Sequence, residues 1–429
     1  MRGLSFGLAA LWFAAAGDGS PLHRFDFGSA DHVAEGWTAV DAEMAFDPSR
    51  GYGFEAGSRV EVNDRGGADT LRRDFVTTDQ SALFSIRVPR EGNYRVTVTL
   101  GDAAGESVTT VRAELRRLMV EEAATRRNGF LVRRFIVNTR TPSIDATRAV
   151  RLKERERTYE ARAWDDRVTI EITGARPALC ALEIEAADDV PTLYLLGDST
   201  MTDQARAPYG GWGQIIPRFL EDGVAVANHG ESGESYASAF SEGRVDKVLS
   251  LLRPGDFVAL QFGHNDQKAL DATTGAFGDY AAAIRRCVTL LREKKAVPIL
   301  VTSMHRHAFD ASGRVVNTLG DYPVAVRRVA VELGVALIDL HAMSAPLYEA
   351  YGPTEAHALF VPGDTTHPNL FGAYQLARCV VDGLRHARLP IARHIGPGFQ
   401  PFDPACPEPA SAFAVPNHSL PEAPAARAP

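Results

Sequence analysis

The spacing of apolar positions changes near residue 190. Before it lie short runs in which apolar and polar residues alternate, as in Arg95-Val96-Thr97-Val98-Thr99-Leu100. Alternation with period two is the mark of a strand with one face buried. The runs 83–88, 94–100, 109–115, 130–137, 167–172 and 181–184 all read as short strands, several of them alternating, with little helical periodicity between them. They predict an antiparallel β-sandwich over residues 22–188. After residue 190 the pattern becomes continuous apolar runs of buried-strand length, at 192–196, 224–228, 257–262, 298–302 and 335–339. Amphipathic stretches such as 280–295 and 322–333 separate them. Strands alternating with helices predict a three-layer α/β/α domain on a mostly parallel five-stranded sheet, here over residues 190–395.

Both ends of the chain lie outside these patterns. Met1-Arg2 precedes an apolar stretch from Leu4 to Ala16 that closes on Ala14-Ala15-Ala16-Gly17. One basic residue, a short apolar core and a small-residue exit are the layout of a secretory signal peptide, assigned to residues 1–17. The stretch is well short of the ~20 apolar residues that span a bilayer. A secreted or periplasmic protein with no later membrane segment is expected. From about Gly396 to residue 429 the chain is rich in Pro and Ala and has no periodic segment; it is expected either to pack back on the body or to remain mobile.

Composition adds exclusions. A chain of 429 residues favours two domains, and a formal charge of −8 argues against nucleic acid, whose phosphates require a basic surface. The arginines between Arg112 and Arg157 are interleaved with acids, so charge pairs across strands explain them better than a polyanion patch. Cys180, Cys287, Cys379 and Cys406 have no metal-ligand spacing. One or two disulfides and buried free thiols both remain open for them.

The chemistry gathers at the ends of the predicted parallel strands, where such sheets place ligands. The first strand runs into Gly197-Asp198-Ser199-Thr200, which puts a hydroxyl at the carboxyl edge. The second is followed by Asn228-His229-Gly230-Glu231-Ser232-Gly233-Glu234-Ser235, and the third by Gly263-His264-Asn265-Asp266. Far downstream comes Gly363-Asp364-Thr365-Thr366-His367. An Asp three residues before a His lets one loop deliver a base and the carboxylate that orients it. Ser199 is then the candidate nucleophile, His367 the base and Asp364 the orienting group. The backbone N–H groups of Ser199 and Gly233 and the side-chain amide of Asn265 form a candidate three-donor oxyanion hole. Singly, each block reads as readily as a helix cap or a turn; four in order, each at a strand end, do not.

Ser199, Gly233, Asn265 and His367 match the four blocks of the SGNH (GDSL-like) hydrolase superfamily, which this chain resembles. Gly197-Asp198-Ser199-Thr200, Gly211-Trp212-Gly213, Gln261 to Asp266 and Asp364-Thr365-Thr366-His367 resemble rhamnogalacturonan acetylesterases. Phe25-Asp26-Phe27-Gly28 and Gly51-Tyr52-Gly53-Phe54 resemble a bacterial two-domain type with a galactose-binding-like β-sandwich in front. Many members carry Gly-Arg-Ser where this chain has Gly233-Glu234-Ser235, and an Arg where His307 follows Arg306; the second departure bears on which sugar or charge is recognised.

The resemblance implies a serine esterase that removes O-acetyl groups from a pectic polysaccharide through an acyl-enzyme, with no metal or organic cofactor and an acetylated polysaccharide or oligosaccharide as partner. His305, Arg306 and His307 follow the fourth strand at the same edge, either as a carboxylate site or as a solvated loop. Trp212 is a candidate for stacking on a sugar, against ordinary core packing. His264 is a candidate substrate contact, although with Asp198 it reads better as loop support. The sandwich either binds carbohydrate or braces the catalytic domain. The alternatives are a xylan or oligosaccharide acetylesterase, a lipase or arylesterase, and a non-catalytic carbohydrate-binding protein on a decayed scaffold. Binding alone needs no nucleophile with its base, which weighs against decay.

Overall fold

The structure is a computed structural model that describes residues 21–268 and 275–420. The apolar stretch assigned to export lies outside the described residues. Among the described residues no helix is long and apolar enough to cross a membrane.

Residues 23–186 form two facing sheets. One runs in the order Gly129–Thr139, Gly92–Asp102, Leu179–Ala186, His23–Phe27, Thr38–Val40, with Asp74–Thr77 pairing on Leu179–Ala186 and Glu61–Asp64 beyond it. The other runs Tyr52–Phe54, Ser81–Arg87, Arg167–Thr173, Ser107–Ala113, Arg117–Thr125. Pairing is antiparallel except between His23–Phe27 and Thr38–Val40. The alternating run behaves as its pattern demands, with Val96, Val98 and Leu100 fully buried between the sheets. Phe25, Phe27, Phe54 and Phe84 fill the centre, and Phe27 meets Phe84 edge-on at 5.0 Å.

Arg117–Thr125 is a strand that alternation does not reveal. It opens with four consecutive buried residues because both of its faces are covered, one by the facing sheet of the sandwich and one by the second domain. Leu118 packs into the core of that second domain.

The second domain is a parallel sheet in the order Ala225–Asn228, Thr192–Gly197, Phe257–Gln261, Val297–Val301, Ala336–Ile338. Its strands are continuous apolar runs because helices cover both faces. Leu193 and Leu195 enter the core on one side while Tyr194 and Leu196 enter the core on the other, as the pleat requires. On one face lie helices Asp279–Glu293 and Tyr322–Leu333, and on the other Leu340–Glu355 and Leu370–His386. Tyr322–Leu333 carries Pro323 in its first turn and stops at Gly334, whose φ of 58° only glycine adopts readily. The sheet order reverses between Thr192–Gly197 and its neighbours on either side, and the loops that matter leave the carboxyl ends there.

The two domains are joined by buried charge. Arg112 pairs with Glu171 on the adjacent strand at 3.4 Å, the cross-strand arrangement expected. Arg116 and Arg117 correct that expectation, because both reach across to the second domain. Arg117 pairs with Asp203 at 2.5 Å, and Arg116 donates to the carbonyls of Gln204 (2.9 Å) and Tyr209 (3.1 Å). Lys247 returns to Glu91 at 2.7 Å. The Pro/Ala-rich segment packs back as far as residue 420: Asn417 Oδ1 accepts from Arg116, His418 meets Glu171 at 2.5 Å, and Leu420 is buried beside Trp164 and Ala205. All four cysteines are free thiols, three buried and Cys406 exposed.

Candidate active site

Ser199 lies two residues past Thr192–Gly197, and its Oγ lies 2.9 Å from His367 Nε2. The other ring nitrogen, Nδ1, is 2.6 Å from Asp364 Oδ2. The loop carrying both groups is tightly braced. Asp364 Oδ1 accepts the backbone N–H of Thr366 at 2.7 Å and of His367 at 3.0 Å. Asn369 caps helix Leu370–His386 by accepting from Gly372 at 2.9 Å, and its amide holds the carbonyls of Ala358 and Phe360. Burial pushes the Asp364 carboxyl up, but the Thr366 N–H and His367 outweigh it, and the group stays ionised below the usual carboxylate range. The arrangement supplies a hydroxyl, an imidazole able to take its proton, and a carboxylate fixing the ring.

Gly233 sits in the left-handed region, φ +81°, in a turn closed by the Glu234 N–H on the Glu231 carbonyl. The turn is held against the nucleophile loop. Glu231 N–H donates to the Gly197 carbonyl at 3.0 Å, and Gln204 Nε2 bridges the Ser199 carbonyl (2.8 Å) and Ser232 Oγ (3.4 Å). Asn265 donates from Nδ2 to the Glu234 carbonyl at 2.9 Å, which uses one amide hydrogen and leaves the second. Ser199, Gly233 and Asn265 are thus brought to one edge of the sheet.

Burial corrects two of the remaining candidates, Trp212 and His264. Trp212 is fully buried and donates from Nε1 to Gln261, 2.5 Å away in a core that no sugar enters. It is wedged there because Gly211 lets the chain pass so closely that a Cβ would lie 2.0 Å from the Thr202 carbonyl. His264 is 1% exposed, with one ring nitrogen 3.2 Å from Asp198 and the other 3.1 Å from the Met304 carbonyl, so it contacts no substrate. Arg306 is half-buried and turns its guanidinium inward, to Gln267 at 3.0 Å, Thr318 at 3.1 Å and the His264 carbonyl. His307 stacks on His357 at 3.8 Å, meets the Pro353 carbonyl, and donates its backbone N–H to Thr365 at 2.7 Å. It clamps the Asp364–His367 loop from a partly exposed position. His305 is buried on Ser344 and His341.

Sequence reasoning missed Gln204, Tyr209, Lys153 and Arg155. Tyr209 sets its ring edge against His367 at 5.8 Å. Lys153 and Arg155 come from the first domain and touch the Gly233 turn. None lies in a motif, and nothing local in the sequence couples residue 153 to residue 232.

A doubly wound domain carrying a serine just past its first strand, with a histidine and an aspartate brought to it by the loop before helix Leu370–His386, and preceded by a β-sandwich, defines a carboxylic ester hydrolase of the SGNH type. Residues 195–374 match the GDSL-like lipase/acylhydrolase family, and residues 23–122 match the β-agarase/YXIM esterase-like, galactose-binding domain-like family. The chain belongs to the GDSL-like lipase/acylhydrolase family, with a galactose-binding-like domain in front. It is 38% identical over 218 residues to the rhamnogalacturonan acetylesterase RhgT of Bacillus subtilis, covering 47% of this chain and 93% of that protein. It is 27% identical over 381 residues to the esterase YxiM of the same organism, covering 85% and 91%. The crystal structure of YxiM superposes with a TM-score of 0.46 at 25% identity, covering 86% of this chain and 99% of that one.

Proposed function

We propose that this chain is an exported carbohydrate O-acetylesterase that deacetylates rhamnogalacturonan, with Ser199 as nucleophile. The observation that carries the reading is the unbroken relay of 2.9 Å from Ser199 to His367 and 2.6 Å from His367 to Asp364. His367 Nε2 takes the hydroxyl proton as Ser199 Oγ adds to the acetyl carbonyl, and Asp364 stabilises the imidazolium. The developing oxyanion is received by the N–H groups of Ser199 and Gly233 and the free amide hydrogen of Asn265, where one such donor is worth ~2.7–4 kcal/mol. His367 returns the proton to the sugar oxygen, which leaves. Water, deprotonated by His367 in turn, releases acetate and frees Ser199.

The pectic substrate is supported by the similarity to RhgT, which extends over nearly the whole of that protein. Export is supported by the layout of residues 1–17, and a net charge of −8 disfavours a nucleic-acid partner. The test is acetate release from acetylated rhamnogalacturonan beside acetylated xylan and p-nitrophenyl acetate. Release chiefly from the pectic polymer is expected. Faster release from xylan would replace the substrate, and turnover of the small ester alone would discard both polymers.

A further inference from the structure

The turn Glu231–Glu234 is gripped from the first domain. Lys153 Nζ donates to the Ser232 carbonyl at 2.8 Å, and Arg155 Nη2 donates to the same oxygen. Arg155 Nε also meets Glu231 at 2.5 Å, and Lys153 pairs with the Glu234 carboxylate. These cations are fixed in turn. The Lys153 backbone N–H donates to Glu156 at 2.8 Å. Glu156, itself buried, holds Arg244 at 2.9 and 2.6 Å and Trp164 Nε1 at 2.9 Å. Glu231, Glu234 and Glu156 are each at most 5% exposed, so this is a built assembly rather than a surface contact.

The consequence lies in one peptide unit. The Ser232 carbonyl and the Gly233 N–H belong to the same planar group and, in its trans form, point in opposite directions. Holding the oxygen with two cationic donors therefore fixes the direction of the N–H. It also draws electron density out of the amide, which makes that N–H a stronger donor. Gly233 has no side chain to hold its own orientation, and a Cβ there would meet only Lys153 Nζ, at 3.9 Å.

We propose that Lys153 and Arg155 are positioning residues for the Gly233 oxyanion donor, so that the first domain completes the oxyanion hole of the second. The inference rests on the serine-esterase reading above. The first domain then acts on the rate of the chemical step, separately from any affinity it has for carbohydrate.

The experiment measures kcat, KM and Tm on p-nitrophenyl acetate for the full chain and for Lys153→Met, Arg155→Met, the double variant, Lys153→Arg, Arg148→Ala and Ser199→Ala. Losing an oxyanion donor outright costs ~100- to 1,000-fold in kcat, and a misdirected donor should cost about 10- to 100-fold in the double variant. KM is expected to stay within about twofold, and Lys153→Arg, which keeps a cationic donor, to restore most of the rate. Arg148→Ala removes a different interdomain pair, Arg148 to Asp246 at 2.8 Å, and should leave kcat unchanged. If the double variant does not fold, the single variants carry the test, each expected to lose roughly three- to tenfold. The proposal is overturned if kcat is unchanged, if the loss falls on KM alone, or if Arg148→Ala loses as much. An inactive Ser199→Ala beside fully active Lys153 and Arg155 variants would remove this inference alone. An active Ser199→Ala would remove the reading beneath it.

Discussion

Asp364→Asn separates the orienting role of the carboxylate from its role in building the loop. The carboxylate meets His367 Nδ1 at 2.6 Å through Oδ2 and receives the Thr366 and His367 N–H groups at 2.7 and 3.0 Å through Oδ1. Asparagine keeps an oxygen for both backbone donors but turns an NH2 toward Nδ1. A donor there requires the ring to carry its proton on Nε2, and the imidazole then has no lone pair to accept the Ser199 proton. In Ser-His-Asp sites this change of tautomer costs ~10⁴-fold in kcat, or about 5 kcal/mol. The loop loses only the charge on its acceptor, on the order of 1 kcal/mol.

The pH dependence has a definite sign. The folded Asp364 is held below its ordinary range, so its contribution to stability is present above the unfolded value and fades as pH falls through the folded one. The stability gap between wild type and variant should therefore close in acid. The assay is kcat on p-nitrophenyl acetate with calorimetric Tm at neutral pH. A properly folded variant with kcat within tenfold of wild type would refute the reasoning, because His367 would then take its tautomer from elsewhere.

Trp212→Phe leaves the Gln261 oxygen without its donor and should lower stability by ~1–3 kcal/mol while KM on the polymer stays unchanged; a raised KM with unaltered Tm would return Trp212 to the substrate. Arg117→Met strands the buried Asp203 at the domain interface and is expected to cost ~3–5 kcal/mol in denaturant unfolding, whereas no change would mean Asp203 is satisfied by Asn228 alone. Asp26 is pushed up to about 6, by burial first and then by the charges of Asp74 and Asp69, against the Ala34 N–H. Its folded form prefers the proton, so stability declines as pH rises from the ordinary carboxylate range through about 6. Asp26→Asn should accordingly raise Tm at pH values above that window and not below it; a lower Tm throughout would contradict this.

The parts of the fold legible in the sequence are those whose signal is local. The run Thr192–Gly197 is buried throughout, with apolar residues from Leu193 to Leu196, because both faces are covered, and the polar block after it could lie only at the sheet edge. Tyr322–Leu333 matches its amphipathic stretch because Pro323 and Gly334 mark its ends. Ser199, Asp364 and His367 were legible as candidates because each follows a structural break. Trp212 was ambiguous because an aromatic opening a helix has the same spacing whether it faces a core or a cleft. Arg117–Thr125 was invisible because its second face is buried by a domain that no period within the strand announces. Arg112 obeys the cross-strand rule, whereas Arg116 and Arg117 find partners some ninety residues away in sequence, at 86 to 93 positions' separation. The grip of Lys153 and Arg155 on Ser232 is non-local in the same way.

The most direct test of the central claim compares wild type with Ser199→Ala for acetate release from acetylated rhamnogalacturonan. Acetate released by wild type and reduced to background in the variant, with Tm preserved, is the predicted result. Equal release from both proteins would contradict the serine mechanism and the site on which the account rests.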